Sequence, residues 1–162
     1  MTPSIYEVLD GVSKVKDEHQ RALALRQRAT KPVQDLLKVA LDERIKWLLP
    51  EGDPPYRPDS GVNSHNVLMS ETRKFYLFLD GYSPNINKAK REQLFIELLE
   101  AIHPDDARLL LAAKNKQLLW ENITPEVVNE AFPGLVVGNT STKKVEKVKK
   151  SSKRTNKEVS KI

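Results

Sequence analysis

Nine cations crowd the last two dozen residues: Lys143, Lys144, Lys147, Lys149, Lys150, Lys153, Arg154, Lys157 and Lys161, opposed only by Glu146 and Glu158. Ammonium and guanidinium groups at this density displace counterions from a phosphate backbone and bind it in a salt-dependent, sequence-blind way. Lys143, Lys144, Lys147, Lys149, Lys150, Lys153, Arg154 and Lys157 are therefore the candidate nucleic-acid contacts. The segment contains no aromatic residue, so it has nothing to stack on a base. An anionic membrane surface or an acidic protein would also attract it, and a purely solubilising role needs no ligand. Its net charge of +7 exceeds the chain total of +5, which leaves residues 1–138 at −2. The pI of 9.3 describes an appendage rather than a basic domain.

Elsewhere the chemistry-bearing residues do not converge. Asp105 and Asp106 follow His103 and Pro104, but adjacent helical residues point about 100° apart and do not close on one ion. Carboxylates in a first helical turn are explained by the positive end of the helix dipole. His19 stands beside Asp17 and Glu18 on a charged stretch, and His65 lies in a polar loop. Neither has a partner at metal-binding spacing, and no phosphate loop, zinc helix or nucleophile elbow is present. Cysteine is absent, which removes disulfide and thiolate chemistry. We assign no catalytic residue, cofactor or metal ligand. An enzyme would need a site built from the 51–66 loop and the 103–106 corner, with a pocket near His65 and His103. Trp47, Tyr56, Tyr82 and Trp120 have basic neighbours and could stack bases; the plainer reading is that they close a core at helix ends.

The elements that would hold these residues read as helices. Ser4 can cap a first helix whose apolar positions are Ile5, Val8, Leu9, Val12 and Val15, interrupted by Gly11. Residues 13–29 are rich in helix formers, but their stripe of Ala22, Leu23 and Leu25 is thin, which predicts weak packing or cover from a partner. Thr30 and Pro32 open a helix with Val33, Leu36, Leu37, Ala40, Leu41, Ile45 and Leu48 on one face, running to Pro50. Residues 51–66 form a long loop holding Pro54, Pro55 and Pro58, the preferred candidate for a contact surface. Residues 70–79 read as a helix capped by Ser70 and closed by a left-handed Gly81, with a short buried strand as the alternative. Asn87 caps the strongest helix, 88–102, with Leu94, Phe95, Leu98, Leu99 and Ile102 inward and Arg91 outward. Pro104 and Thr124-Pro125 open two more, the last stopped at Pro133-Gly134.

These segments predict an all-α fold: one compact domain of about five or six short helices over residues 1–138, with a disordered tail at 139–162. No apolar run approaches the roughly 20 residues that span a bilayer, so no membrane insertion is expected. The first residues lack the charged and apolar regions of a signal peptide, which predicts a soluble intracellular protein.

Three stretches, from Glu71 to Gly81, from Arg91 to Gln117 and from Ile123 to Leu135, resemble a family of small uncharacterised proteins of T4-like bacteriophages. The resemblance covers roughly residues 70–135 and carries no site residue. It implies a phage protein acting in the cytoplasm of an infected bacterium or packaged in the virion. The resulting expectation is a non-enzymatic accessory protein. Its helical domain would dock on a host or phage protein, and its tail would contact nucleic acid. The alternatives are a minor virion or assembly protein with a DNA-contacting tail, and an enzyme. Partner and oligomeric state are left open.

Overall fold

Ser4 starts the chain's first helix with a capping box: its hydroxyl accepts the Glu7 N–H at 3.1 Å, and the Glu7 carboxylate accepts the Ser4 N–H at 2.9 Å. The computed structural model describes residues 3–60 and 64–137. Among these it contains seven α-helices, α1 (Ile5–Ser13), α2 (Glu18–Arg28), α3 (Lys31–Leu41), α4 (Val67–Glu71), α5 (Lys88–Ala101), α6 (Pro104–Lys114) and α7 (Pro125–Ala131). A 3-10 helix, Thr72–Phe78, follows α4 directly. No strand is present among the described residues, only an isolated antiparallel bridge between Trp47 and Leu79. The fold is all-α, as the periodicity predicts. The predicted tail at 139–162 lies outside the described residues.

Gly11 does not break α1; it faces α2, where a Cβ would lie 3.3 Å from an Arg28 guanidinium nitrogen. The helix ends at Ser13, and Asp17 starts α2 by accepting the Gln20 N–H at 2.9 Å. Arg21 then locks the corner, donating to the Val15, Lys16 and Asn122 carbonyls. The thin stripe of α2 packs within the chain, on α7 and α1. Ala22 and Ala24 are buried, while Leu23 turns outward.

The structure corrects two helix limits. The third helix stops at Leu41, not at Pro50. Asp42 is the cause: its Oδ1 accepts the Arg44 backbone N–H at 2.9 Å, a local bond that competes with continued helix. The chain then runs extended past the 3-10 helix, with Leu48 N–H donating to Phe78 O at 2.7 Å and Asp80 N–H to Lys46 O at 2.8 Å. The second correction concerns 70–79. Ser70 is no cap; it sits inside α4 and donates to Val67 O. The following turn tightens to three residues, so Thr72, Phe75 and Phe78 share one buried face. Gly81 does take the left-handed conformation, at φ 88°.

Asn87 caps α5 by accepting the Lys90 N–H at 2.7 Å. Phe95, Leu98, Leu99 and Ile102 are buried as expected. Arg91 does not point away: its guanidinium reaches the Leu77 and Ile86 carbonyls and the Ser83 hydroxyl. α6 is buried on most sides and packs on α3, α1 and α5. After Gly134, the Asn129 amide clamps Val136 at both backbone groups, 2.8 and 3.1 Å.

Candidate nucleic-acid interface

The eight basic residues singled out from the sequence, Lys143 to Lys157, lie outside the described residues. The structure does show where the last described residues lie. Lys38 Nζ donates to Leu135 O at 2.9 Å, and Glu43 N–H donates to Val137 O at 2.6 Å. Val137, the last described residue, thus lies next to the C-terminal end of α3.

That end is a cationic collar built on one carboxylate. Asp42 is fully buried. Lys38, one turn back, donates to its Oδ2 at 3.0 Å, and Arg44 grips it with Nε at 3.0 Å and Nη2 at 2.7 Å. Burial works to raise the Asp42 carboxyl, but the Arg44 side-chain and backbone bonds and Lys38 outweigh it. They hold it well below the usual carboxylate range. The Lys38 and Arg44 side chains remain 37% and 58% exposed, so both charges still face solvent.

Lys116 enters from the end of α6. Its backbone is left-handed, φ 63°, where glycine is usual. Lys116 N–H donates to Ala113 O and Gln117 N–H to Ala112 O, the two bonds that close a helix of this type. Its ammonium donates to three carbonyls, Val39 at 3.0 Å, Asp42 at 2.7 Å and Ile45 at 3.0 Å. Those carbonyls gather at the negative end of the α3 dipole, which favours a cation. Burial pushes Lys116 down to about 8, with Asp42 pulling the other way. Lys46 acts on Lys116 as a neighbouring positive charge. Lys38, Arg44 and Lys116 therefore meet at Asp42, with Lys46 a further positive charge near Lys116, a local gathering of cations in a domain that is slightly acidic overall. An open groove of about 640 Å³ runs alongside, lined by Ile45, Lys46, Leu49, Glu51, Lys114 and Pro125 among others. Lys114 is buried there and donates to Pro50 O and Asn115 Oδ1, both at 2.9 Å.

The aromatic candidates divide. Trp47 belongs to the core, its indole N–H on Val39 O at 3.0 Å and its ring about Phe75, Phe78 and Phe95. Trp120 donates to Asp10 at 3.1 Å and packs on Tyr6. Tyr56 is half-buried. Tyr82 stands out, 66% exposed.

The 103–106 corner is the junction of two helix N-termini. His103 caps α6, its Nδ1 accepting the Asp105 N–H at 3.1 Å. Asp105 faces outward and pairs with Arg108 at 2.9 Å, an ordinary first-turn carboxylate. Asp106 differs from that expectation: it is 1% exposed and accepts the Tyr6 N–H at 3.1 Å, joining α6 to α1. His65 lies 3.1 Å from the Glu7 carboxylate, and both His65 and His103 act electrostatically on Asp106. The closest contacts of the two histidines go to different carboxylates, His65 to Glu7 and His103 to Asp105, and neither lines the groove beside Trp47. Among the described residues no group of His, Asp or Glu is arranged to hold a metal ion. His19 pairs with Glu130, tying α2 to α7.

Burial pushes the Asp106 carboxyl up to about 6, against the Tyr6 bond and the histidines. Folding then keeps a proton that the unfolded chain releases near its ordinary 3.8, so stability falls as pH rises from 3.8 to 6. Asp106→Asn keeps an acceptor for Tyr6 and removes the charge. We expect it to stabilise the protein by about 1–2 kcal/mol above pH 7, with no gain below pH 4. Thermal melts of both proteins across that range check the sign.

None of the described helices is long and apolar enough to cross a membrane. No curated protein and no solved structure matches the chain. The model of a family of unknown function, DUF6433, matches residues 8–119, more than half of the sequence and a span that includes the collar from Lys38 to Lys116, and the chain belongs to that family.

Proposed function

We propose that this chain is a non-enzymatic accessory protein of a bacteriophage. Its helical domain docks on a protein partner of host or phage origin, and its basic segment attaches the complex to nucleic acid. The observation that carries the reading is charge segregation: +7 on residues 139–162 against −2 on the rest. The gathering of Lys38, Arg44, Lys46 and Lys116 near Val137, the last described residue, supports it by offering phosphates further cations. The partner-docking surface is the 51–66 loop. Residues 51–60 carry neither helix nor strand, and Arg57 N–H is pinned to the Glu100 carboxylate at 2.8 Å. The resemblance to proteins of T4-like phages supports action in the infected cytoplasm or in the virion, and mass spectrometry of purified particles separates those two.

Truncation after Gly138 tests the attachment. The full chain should bind duplex DNA with an affinity that falls steeply with salt, log K changing by about 0.9 per phosphate contact for each decade. The truncated chain should lose most of that affinity and slope. Equal binding by both chains would refute attachment through the segment.

A further inference from the structure

The 80–83 turn beside the collar carries chemistry that the basic segment lacks. Tyr82 is the most exposed of the large hydrophobic side chains among the described residues, at 66%. Its backbone is held firmly. Tyr82 N–H and Ser83 N–H both donate to Leu79 O, at 3.2 and 3.0 Å, and the Ser83 hydroxyl donates to Leu77 O at 2.7 Å. Arg91 straps the same turn from α5 through Leu77 O, Ser83 Oγ and Ile86 O. A phenol ring on a fixed turn loses few degrees of freedom on binding.

The turn is also joined to the collar. Trp47 and Leu79 form an antiparallel bridge and Asp80 N–H donates to Lys46 O at 2.8 Å, which sets the 80–83 turn beside the segment that carries Arg44 and Lys46. Arg44 is oriented by its two-pronged grip on Asp42 yet remains 58% exposed. The neighbouring residue, Glu43, holds Val137, the last described residue. An exposed ring, an oriented planar guanidinium and Lys46 therefore lie on two adjoining stretches of a chain whose last two dozen residues bear nine cations. Paired bases in a duplex are already stacked on one another, whereas unpaired bases offer open faces to an aromatic ring or a guanidinium plane.

We propose that Tyr82 and Arg44 form a base-stacking site for single-stranded nucleic acid. This rests on the nucleic-acid reading above. It adds a preference that the segment alone has no means to express.

The test is equilibrium binding by the full chain to labelled oligothymidine of about 16 nucleotides and to a duplex of equal length. Wild type, Tyr82→Ala and Tyr82→Phe are compared. The wild type should favour the single strand. Tyr82→Ala should weaken single-strand binding roughly tenfold and leave the duplex within about twofold, with an unchanged salt slope because no phosphate contact is lost. Tyr82→Phe should keep the preference, since the ring remains. Loss of affinity for both ligands alike, or none for the single strand, would overturn the stacking site while leaving the segment's attachment standing. A wild type that binds neither oligonucleotide overturns both.

Discussion

Asp42→Ala should cost the fold about 3 kcal/mol, at the lower end of what breaking a buried ion pair costs. Asp42 is fully buried and accepts four hydrogen bonds: from Arg44 N, Nε and Nη2 and from Lys38 Nζ. Removing it strands an array of donors, not one contact. Lys38 and Arg44 can turn to water because both are partly exposed, which keeps the cost from the upper range. Lys116 has less recourse, since it is half-buried among carbonyls and loses the anion that offsets its burial. The local bond that ends α3 is lost as well. For a domain of this size the melting temperature should fall by about 8–12 °C. Asp42→Asn keeps an acceptor for the Arg44 backbone and should fall between wild type and Ala. The acid side supplies an independent reading. The folded carboxyl sits well below the ordinary 3.8, so its contribution is complete above that value and fades as pH falls through the lowered one. The gap between wild type and Asp42→Asn should therefore be widest near neutrality and close in acid. A gap that does not change with pH would mean that the Asp42 charge contributes nothing to stability.

The same carboxylate shows why part of the molecule was legible in the sequence and part was not. Helix starts were legible wherever the cap is local: Ser4, Asn87 and Thr124 each accept an N–H three residues ahead. Gly81 was legible because a left-handed residue after an apolar run has few substitutes. The end of α3 was hidden because its apolar stripe continues through Ile45 and Leu48 in helical register. Ile45 does pack on the core, but from outside any helix. The signal that could have marked the end was Asp42 two residues before Arg44. The 72/75/78 spacing was likewise present, but a dense aromatic run masked its three-residue period. Arg91 looked like a surface cation because its partners, Leu77, Ser83 and Ile86, belong to a turn whose position depends on the tertiary fold.

The collar was not legible at all as a unit. Lys38, Asp42, Arg44 and Lys46 are near neighbours in the chain, but Lys116 and Leu135–Val137 join them only through the packing of α6 on α3 and the Asn129 clamp. The basic segment was the reverse case, fully visible in composition. Charge runs are read directly from a sequence. The surface they adjoin is a property of the fold.

Lys116 supplies the second large effect. At φ 63° a lysine carries a backbone cost of about 1 kcal/mol that glycine would not. Against that cost stand three hydrogen bonds from one ammonium to the carbonyls of Val39, Asp42 and Ile45. An ammonium has three donors, and here each has an acceptor. Lys116→Ala removes all three bonds and keeps the backbone cost. Val39 O keeps the Trp47 indole N–H and Asp42 O keeps the Ile45 N–H, so the Ile45 carbonyl loses most, at about 1–3 kcal/mol for an orphaned acceptor. Lys116 also lines the 640 Å³ groove, so water can reach the vacated space. We therefore expect a loss of about 2 kcal/mol, measured by urea unfolding. Lys116→Gly removes the same bonds and relieves the backbone, so it should be milder by about 1 kcal/mol. That ordering, wild type above Gly above Ala, separates the side chain's role from the turn's. A Gly variant as stable as wild type would show that the three carbonyls do as well with water. If the ordering holds, the end of α3 is closed by a cation from another helix, and that cation also lies in the collar beside the last described residues. The same ammonium then serves the packing of α6 on α3 and the positive field at the proposed interface.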